Sequence, residues 1–181
     1  MADKKYKLSI VIGRFEPLHN EHIKLIQYAK DIAEVAVVII GSSFQEPSRK
    51  NPFSEIERKL MIENSLNTEN LIIEFASDFL NDDIAWKKQI YDIIHKYVVD
   101  DNMVLIGHNK DTSSYYLDLF DCDFIDVGIT NDISSTTIRD KLFSDDFNPD
   151  EFDGHISPYV KGFLISWKQE NSSYEKLQIG L

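Results

Sequence analysis

The chain has 181 residues, 43% of them hydrophobic, which suits one domain with a sizeable buried core and excludes a mostly disordered protein. Acidic residues number 31 against 19 basic ones, a net charge of −12. A broad nucleic-acid surface needs a basic stripe and is excluded, whereas a small phosphate pocket needs only a few local cations and is not. No apolar run approaches the ~20 residues of a membrane span, and the N-terminal apolar stretch is too short for a secretory leader, so no membrane association is expected and a cytoplasmic location is. The single cysteine, Cys122, excludes an internal disulfide and a cysteine metal cluster; with no activating neighbour in sequence it reads as a buried or half-buried thiol.

Strands and helices alternate along the chain. Leu8–Ile12 is a short Ile- and Val-rich strand, and Gly-Arg-Phe-Glu-Pro after it must turn. Residues 20–33 carry Ile23, Ile26, Ala29 and Ala33 at helical spacing. Val35–Ile40 is continuously apolar and reads as a strand buried on both faces, closed by Gly41. A loop over 42–52 follows. Ser54, with Glu57 three residues on, then opens a helix running to about Leu66 in a capping-box pattern. Leu71–Phe75 reads as a strand and Ile84–Val98 as a helix with Ile90, Ile93, Ile94 and Tyr97 on one side. Met103–Ile106, ending at Gly107, and Phe124–Val127 are the last two strands. Ser134 or Ser135 caps a further helix, the acidic stretch Ser144–Asp153 reads as a solvated loop, and Pro158–Trp167 opens on a proline suited to the first helical turn.

This alternation, with no repeats and no linker, predicts a single α/β domain over 1–181: a doubly wound, Rossmann-like parallel sheet of five strands with helices on both faces. Ligands of such sheets bind beyond the carboxyl ends of the strands, so chemistry is sought in 13–22, 41–52, 107–114 and 130–139.

Gly13-Arg14-Phe15-Glu16-Pro17-Leu18-His19-Asn20-Glu21-His22 joins the first strand to the first helix and sets His19 and His22 on one helical face near its N-terminus. Two imidazoles beside unpaired backbone N–H groups and a positive dipole end make an anion site that can hold a polyphosphate. A surface His pair or a metal-ligand pair are the alternatives, and zinc would want further ligands at a defined spacing. Ile133-Ser134-Ser135-Thr136-Thr137-Ile138-Arg139 brings hydroxyls to a second helix N-terminus and, one turn in, a guanidinium fork for phosphate oxygens. An ordinary capped surface helix with an exposed Arg is its alternative.

The first segment resembles the (H/T)xGH signature of the nucleotidylyltransferase superfamily, GRFxPxHxGH in its nicotinamide-nucleotide branch, and the second resembles that superfamily's ISSTxIR. Gly107-His108-Asn109-Lys110-Asp111-Thr112-Ser113-Ser114-Tyr115-Tyr116 resembles the GHxKDxSSYY run of the transferase domain in bifunctional nicotinamide-mononucleotide adenylyltransferase/Nudix proteins. Gly41-Ser42-Ser43, Asn51-Pro52-Phe53, Arg58 and Met61-Ile62 are similar to the same group and its archaeal relatives. The similarity spans roughly residues 8–143, and no Nudix-type run is present, so the transferase domain alone is expected. Glu16 stands where Gln is common. Glu21 stands where the family usually has Gly, and is expected to point to solvent, to weaken ATP binding, or to mark a divergent, even inactive, member.

The resemblance implies the nucleotidylyltransferase fold and the reaction ATP + nicotinamide mononucleotide → NAD + pyrophosphate, by in-line attack without a covalent enzyme intermediate. It implies His19 and His22 at the α- and β-phosphates, Arg139 at the β- and γ-phosphates, and Mg²⁺ carried by the phosphate oxygens. It implies nucleotide contacts from Ser134, Ser135 and Thr136, from the backbone of Gly13, Arg14 and Phe15, and from Gly107, His108, Lys110 and Asp111 on the adenosine side. Arg14, Lys50 and Asn51 are candidates on the mononucleotide side. Trp86 either stacks on the nicotinamide ring or packs in the core on Ile90. Other acceptors, nicotinate mononucleotide, phosphopantetheine or a polyol phosphate with CTP, would use the same first motif. A non-catalytic NAD- or ATP-binding sensor is the rival of another class. Relatives form several assemblies, so a homo-oligomer is left open.

Overall fold

A computed structural model describes residues 4–97, 102–108, 120–128, 130 and 133–171. The elements are β1 (Tyr6–Gly13), α1 (Asn20–Ile32), β2 (Ala33–Ile40), α2 (Glu55–Glu63), β3 (Leu71–Phe75), α3 (Asp83–Ile94), β4 (Met103–Gly107), β5 (Asp123–Asp126), α4 (Ser135–Leu142) and α5 (Pro158–Glu170). The five strands form one sheet in the order β3-β2-β1-β4-β5, and every neighbouring pair is parallel. The strand order reverses between β1 and β4, so the switch point lies beside the segment that leaves β1.

Side chains alternate across the strands and feed two cores. Val11, Val38, Ile40, Val104 and Ile106 face one side, where α1, α2, α4 and α5 contribute Ile26, Met61, Ile138 and Leu164. Leu8, Ile10, Val37, Ile39 and Leu105 face the other, covered by Ile90, Ile93 and Ile94 of α3. The continuous apolar run of β2 is therefore buried on both faces, as its composition predicts.

The helix starts follow local chemistry. Ser54 and Glu57 form the reciprocal capping box of α2, Ser134 rather than Ser135 caps α4, and Ser157 caps α5 with Pro158 in its first turn. Several expected boundaries are corrected: α1 ends at Ile32 with Ala33 opening β2, and α2 ends at Glu63. α3 ends at Ile94, where the next N–H groups turn back to Tyr91 and Ile93, so Tyr97 falls outside the helix and bonds Glu74 instead. β5 begins at Asp123, because its pairing with Val104 sets the register rather than its apolar content. Within the acidic stretch, Pro149–Phe152 is a short 3-10 turn whose Phe152 is buried in the core.

Candidate active site

The segment leaving β1 turns sharply. Phe15 has φ +54°, a conformation a bulky residue adopts only where its surroundings hold it. Its ring lies against Gly13, where an added Cβ would come within 3.0 Å of Phe15 Cζ. The same ring meets His22 edge-on with centroids 5.0 Å apart, and His22 stacks on His19 at 3.7 Å. His19 is the N-cap of α1 and is buried. The two histidines predicted from spacing are thus brought into one stack at the N-terminus of α1.

The second motif docks on this turn. Ser135 Oγ donates to the Pro17 carbonyl at 3.0 Å, and Arg139 Nη1 donates to the Glu16 carbonyl. Arg139 is buried, not exposed, and its Nη2 donates to Thr136 Oγ1 at 3.2 Å, which fixes the fork. Ser134 spends its hydroxyl on the cap, accepting from Thr137 N at 3.1 Å.

Around Glu16 the charges converge. Its Oε1 accepts from Phe53 N at 2.7 Å, and its Oε2 lies 3.5 Å from Arg58 Nη1. Burial pushes the carboxyl up to about 7, opposed by Arg58, the Phe53 N–H, Arg139 and Arg14. Three guanidinium groups thus share one carboxylate in a chain whose net charge is −12, a local positive centre suited to polyphosphate.

Arg58 received no role from the sequence, yet it organises the walls. Almost wholly buried, it donates to the carbonyls of Arg14 at 2.9 Å, Gly41 at 2.7 Å and Ser42 at 3.0 Å. Its signal was position: Arg58 shares the apolar face of α2 with Met61 and Ile62, three and four residues on.

Those walls bound a cleft of about 510 Å³ at the carboxyl ends of β1 and β2, lined by Gly13, Arg14, Gly41, Ser42, Lys50, Asp78, Phe79, Asp83 and Trp86. Arg14 is held by Asn51, whose Oδ1 accepts from its Nη1 at 3.0 Å, and Asp78 accepts from Ser42 N and Oγ. Trp86 packs on the core containing Ile90, meets Phe120 edge-on at 6.0 Å and also lines the cleft. Asp78, Phe79 and Asp83 were missed because the segment after β3 was not among those searched, although it too follows a strand.

Not every expected residue reaches the cleft. Phe15 is buried against Gly13 instead of on the wall, and His19, His22 and Arg139 stand at the motif junction, outside the cleft lining, which Gly13 and Arg14 of the same segment do join. Gly107 ends β4 and accepts from Val127 N, with the half-buried His108 next to it. Lys110 and Asp111 lie outside the described residues. Cys122 is half-buried and burial pushes its thiol up, which disfavours a nucleophilic thiolate. Among the described residues, no group of three or more His, Cys, Asp or Glu side chains converges as a metal site, and no helix is long and apolar enough to cross a membrane.

Glu21 does not point to solvent. It is buried, and its carboxylate accepts from Lys24 Nζ at 2.7 Å, Thr130 N at 2.9 Å and Thr130 Oγ1 at 2.8 Å. Burial alone would raise its pKa, but Lys24 and the two Thr130 donors hold it down at about 2.

Residues 10–141 match the family model described as cytidylyltransferase-like. A nicotinamide/nicotinic acid mononucleotide adenylyltransferase of Acinetobacter baylyi is 30% identical over 180 residues, covering 96% of this chain and 93% of that one. A bifunctional NMN adenylyltransferase/ADP ribose pyrophosphatase of Francisella tularensis superposes with a TM-score of 0.74 at 28% identity, over 91% of this chain and 50% of that one. The chain therefore spans half the length of that bifunctional protein. A second structure of the Francisella protein, in complex with AMP and a manganese ion, superposes with the same TM-score at 27% identity, over 95% of this chain and 52% of that one.

Proposed function

This chain belongs to the cytidylyltransferase-like family, and from that footing we propose that it is an adenylyltransferase of NAD biosynthesis whose acceptor is nicotinamide mononucleotide. The observation that carries the reading is the docking of the two motifs: Arg139 and Ser135 bond the carbonyls of Glu16 and Pro17, three and two residues before His19, which stacks on His22.

In this reading the mononucleotide's 5′-phosphate oxygen attacks the α-phosphorus of ATP. The bond to the bridging α–β oxygen breaks, and pyrophosphate leaves. His19 and His22 hold the α- and β-phosphates, Arg139 the β- and γ-phosphates, and Mg²⁺ enters on the phosphate oxygens of ATP. Catalysis is positioning plus stabilisation of the charge that builds on the leaving pyrophosphate. No side chain becomes covalently attached.

The cleft supports the acceptor. Arg14 and Lys50 supply cations for its phosphate, and Trp86 supplies a face for a pyridinium ring. Asp78 and Asp83 line the same cleft. A cationic ring with a neutral carboxamide is welcome beside two carboxylates, whereas nicotinate adds a third negative charge. At distances of several ångströms near a surface, that repulsion is worth about 1.4 kcal/mol, a tenfold preference in kcat/KM.

Pyrophosphate release on mixing the protein with ATP, Mg²⁺ and either mononucleotide tests the proposal. The expected result is turnover with both and about tenfold higher kcat/KM for nicotinamide mononucleotide. Absence of pyrophosphate with either, while NAD still binds, would leave a sensor. The sensor reading drew its only sequence support from Glu21, and a carboxylate already compensated by Lys24 and Thr130 no longer provides it.

A further inference from the structure

Glu21 lies between the two histidines in sequence, where an unpaired carboxylate would repel a polyphosphate. Its charge is engaged elsewhere. Oε1 accepts from Lys24 Nζ and Thr130 Oγ1, Oε2 accepts from Thr130 N, and Lys24 Nζ also donates to Thr130 Oγ1 at 2.6 Å, closing a ring of three side chains. Thr130 belongs to the connection that leaves β5 and enters α4 at Ser134. Glu21 itself is 3% exposed, so the clasp is shielded on the α1 side.

We propose that Glu21 is a positioning residue: by clasping Thr130 it sets the connection that presents Ser134, Ser135 and Arg139 to ATP. The role rests on the adenylyltransferase reading. α4 is tied to the first motif through Ser135 and Arg139, both of which grip carbonyls already inside the site. The clasp adds an anchor at Thr130, four residues before Ser134, that a glycine at position 21 would lack. Because two oxygens of a buried carboxylate take three donors, the link is charge-assisted and stiff. Its low pKa keeps it ionised throughout the neutral range.

The test compares Glu21→Gly, Glu21→Gln and Thr130→Val in the full chain. Steady-state KM for ATP and for nicotinamide mononucleotide are measured, together with calorimetric binding of Mg²⁺-ATP and thermal melting. Removing the buried acceptor leaves its donors unsatisfied, so Glu21→Gly is expected to raise the ATP KM and Kd about tenfold. The mononucleotide KM should change less than about twofold, in keeping with a clasp remote from the cleft. Glu21→Gln should recover part of the loss, and Thr130→Val, which keeps the backbone donor, should show a smaller effect in the same direction. If Glu21→Gly does not fold, Thr130→Val carries the comparison. An ATP Kd unchanged or tightened in the folded variants overturns the proposal. So does a rise in both KM values that simply follows the fall in melting temperature. The ATP-binding measurement needs no acceptor, so it reads the clasp even if the choice of acceptor proves wrong.

Discussion

At the scale of single residues, the turn after β1 is built on close ring contacts. Gly13 has the Phe15 ring where a side chain would be, and that ring supports His22, which supports His19. Gly13→Ala should therefore push the ring toward His22 and misplace both imidazoles. We expect kcat/KM to fall about tenfold or more, with a loss of stability of about 1–3 kcal/mol from overpacking. Steady-state kinetics beside a thermal melt would check it; a kcat equal to that of the parent chain would show that the stack is not needed. The identity of these residues was legible in sequence. The crowding at Gly13 was not, because the ring that an added Cβ would meet reaches back from two residues on through a positive φ.

At the scale of elements, helix starts were readable and helix roles were not. Ser54 with Glu57 announced α2, but nothing local announced that Arg58 would tie the carbonyl of Arg14, after β1, to those of Gly41 and Ser42, after β2. Arg58→Met keeps the apolar stem and removes the donors, leaving those carbonyls and the Glu16 carboxylate without their partner. The expected cost is about 3 kcal/mol of stability, accompanied by a higher KM for the acceptor. Chemical denaturation and acceptor titration read the two effects separately, and a variant as stable as the parent would remove Arg58 from its place as organiser. Trp86 teaches the same lesson from the other side. One helix face can serve core and cleft together, so packing in the core does not keep Trp86 from the cleft wall.

At the scale of the whole molecule, the buried Glu16 links stability to pH. Its folded pKa is raised from 4.5 to about 7. Between those values the folded state holds a proton that the unfolded state has lost, so its contribution is complete below pH 4.5 and disappears as pH climbs through 7. The size is on the order of 3 kcal/mol across that window. Glu16→Gln, which cannot titrate, should flatten the difference in unfolding free energy between pH 5 and pH 8. Parallel pH profiles for the two proteins would mean that Glu16 is ionised throughout. The same group explains how a strongly acidic chain keeps a positive centre: the three guanidinium groups around Glu16 are gathered by the fold from positions 14, 58 and 139.

By itself the sequence determined the order and type of the elements, the parallel sheet and the two motifs, since periodicity, caps and short fixed-order signatures are local properties of the chain. Only the tertiary structure decided which side chains meet. Glu21 finds Thr130 across 109 residues, Arg58 reaches Arg14 across 44, and the segment after β3 becomes a wall of the cleft. A carboxylate in a list of residues carries no sign of whether water or a threonine will solvate it. Strand order and helix docking settle that.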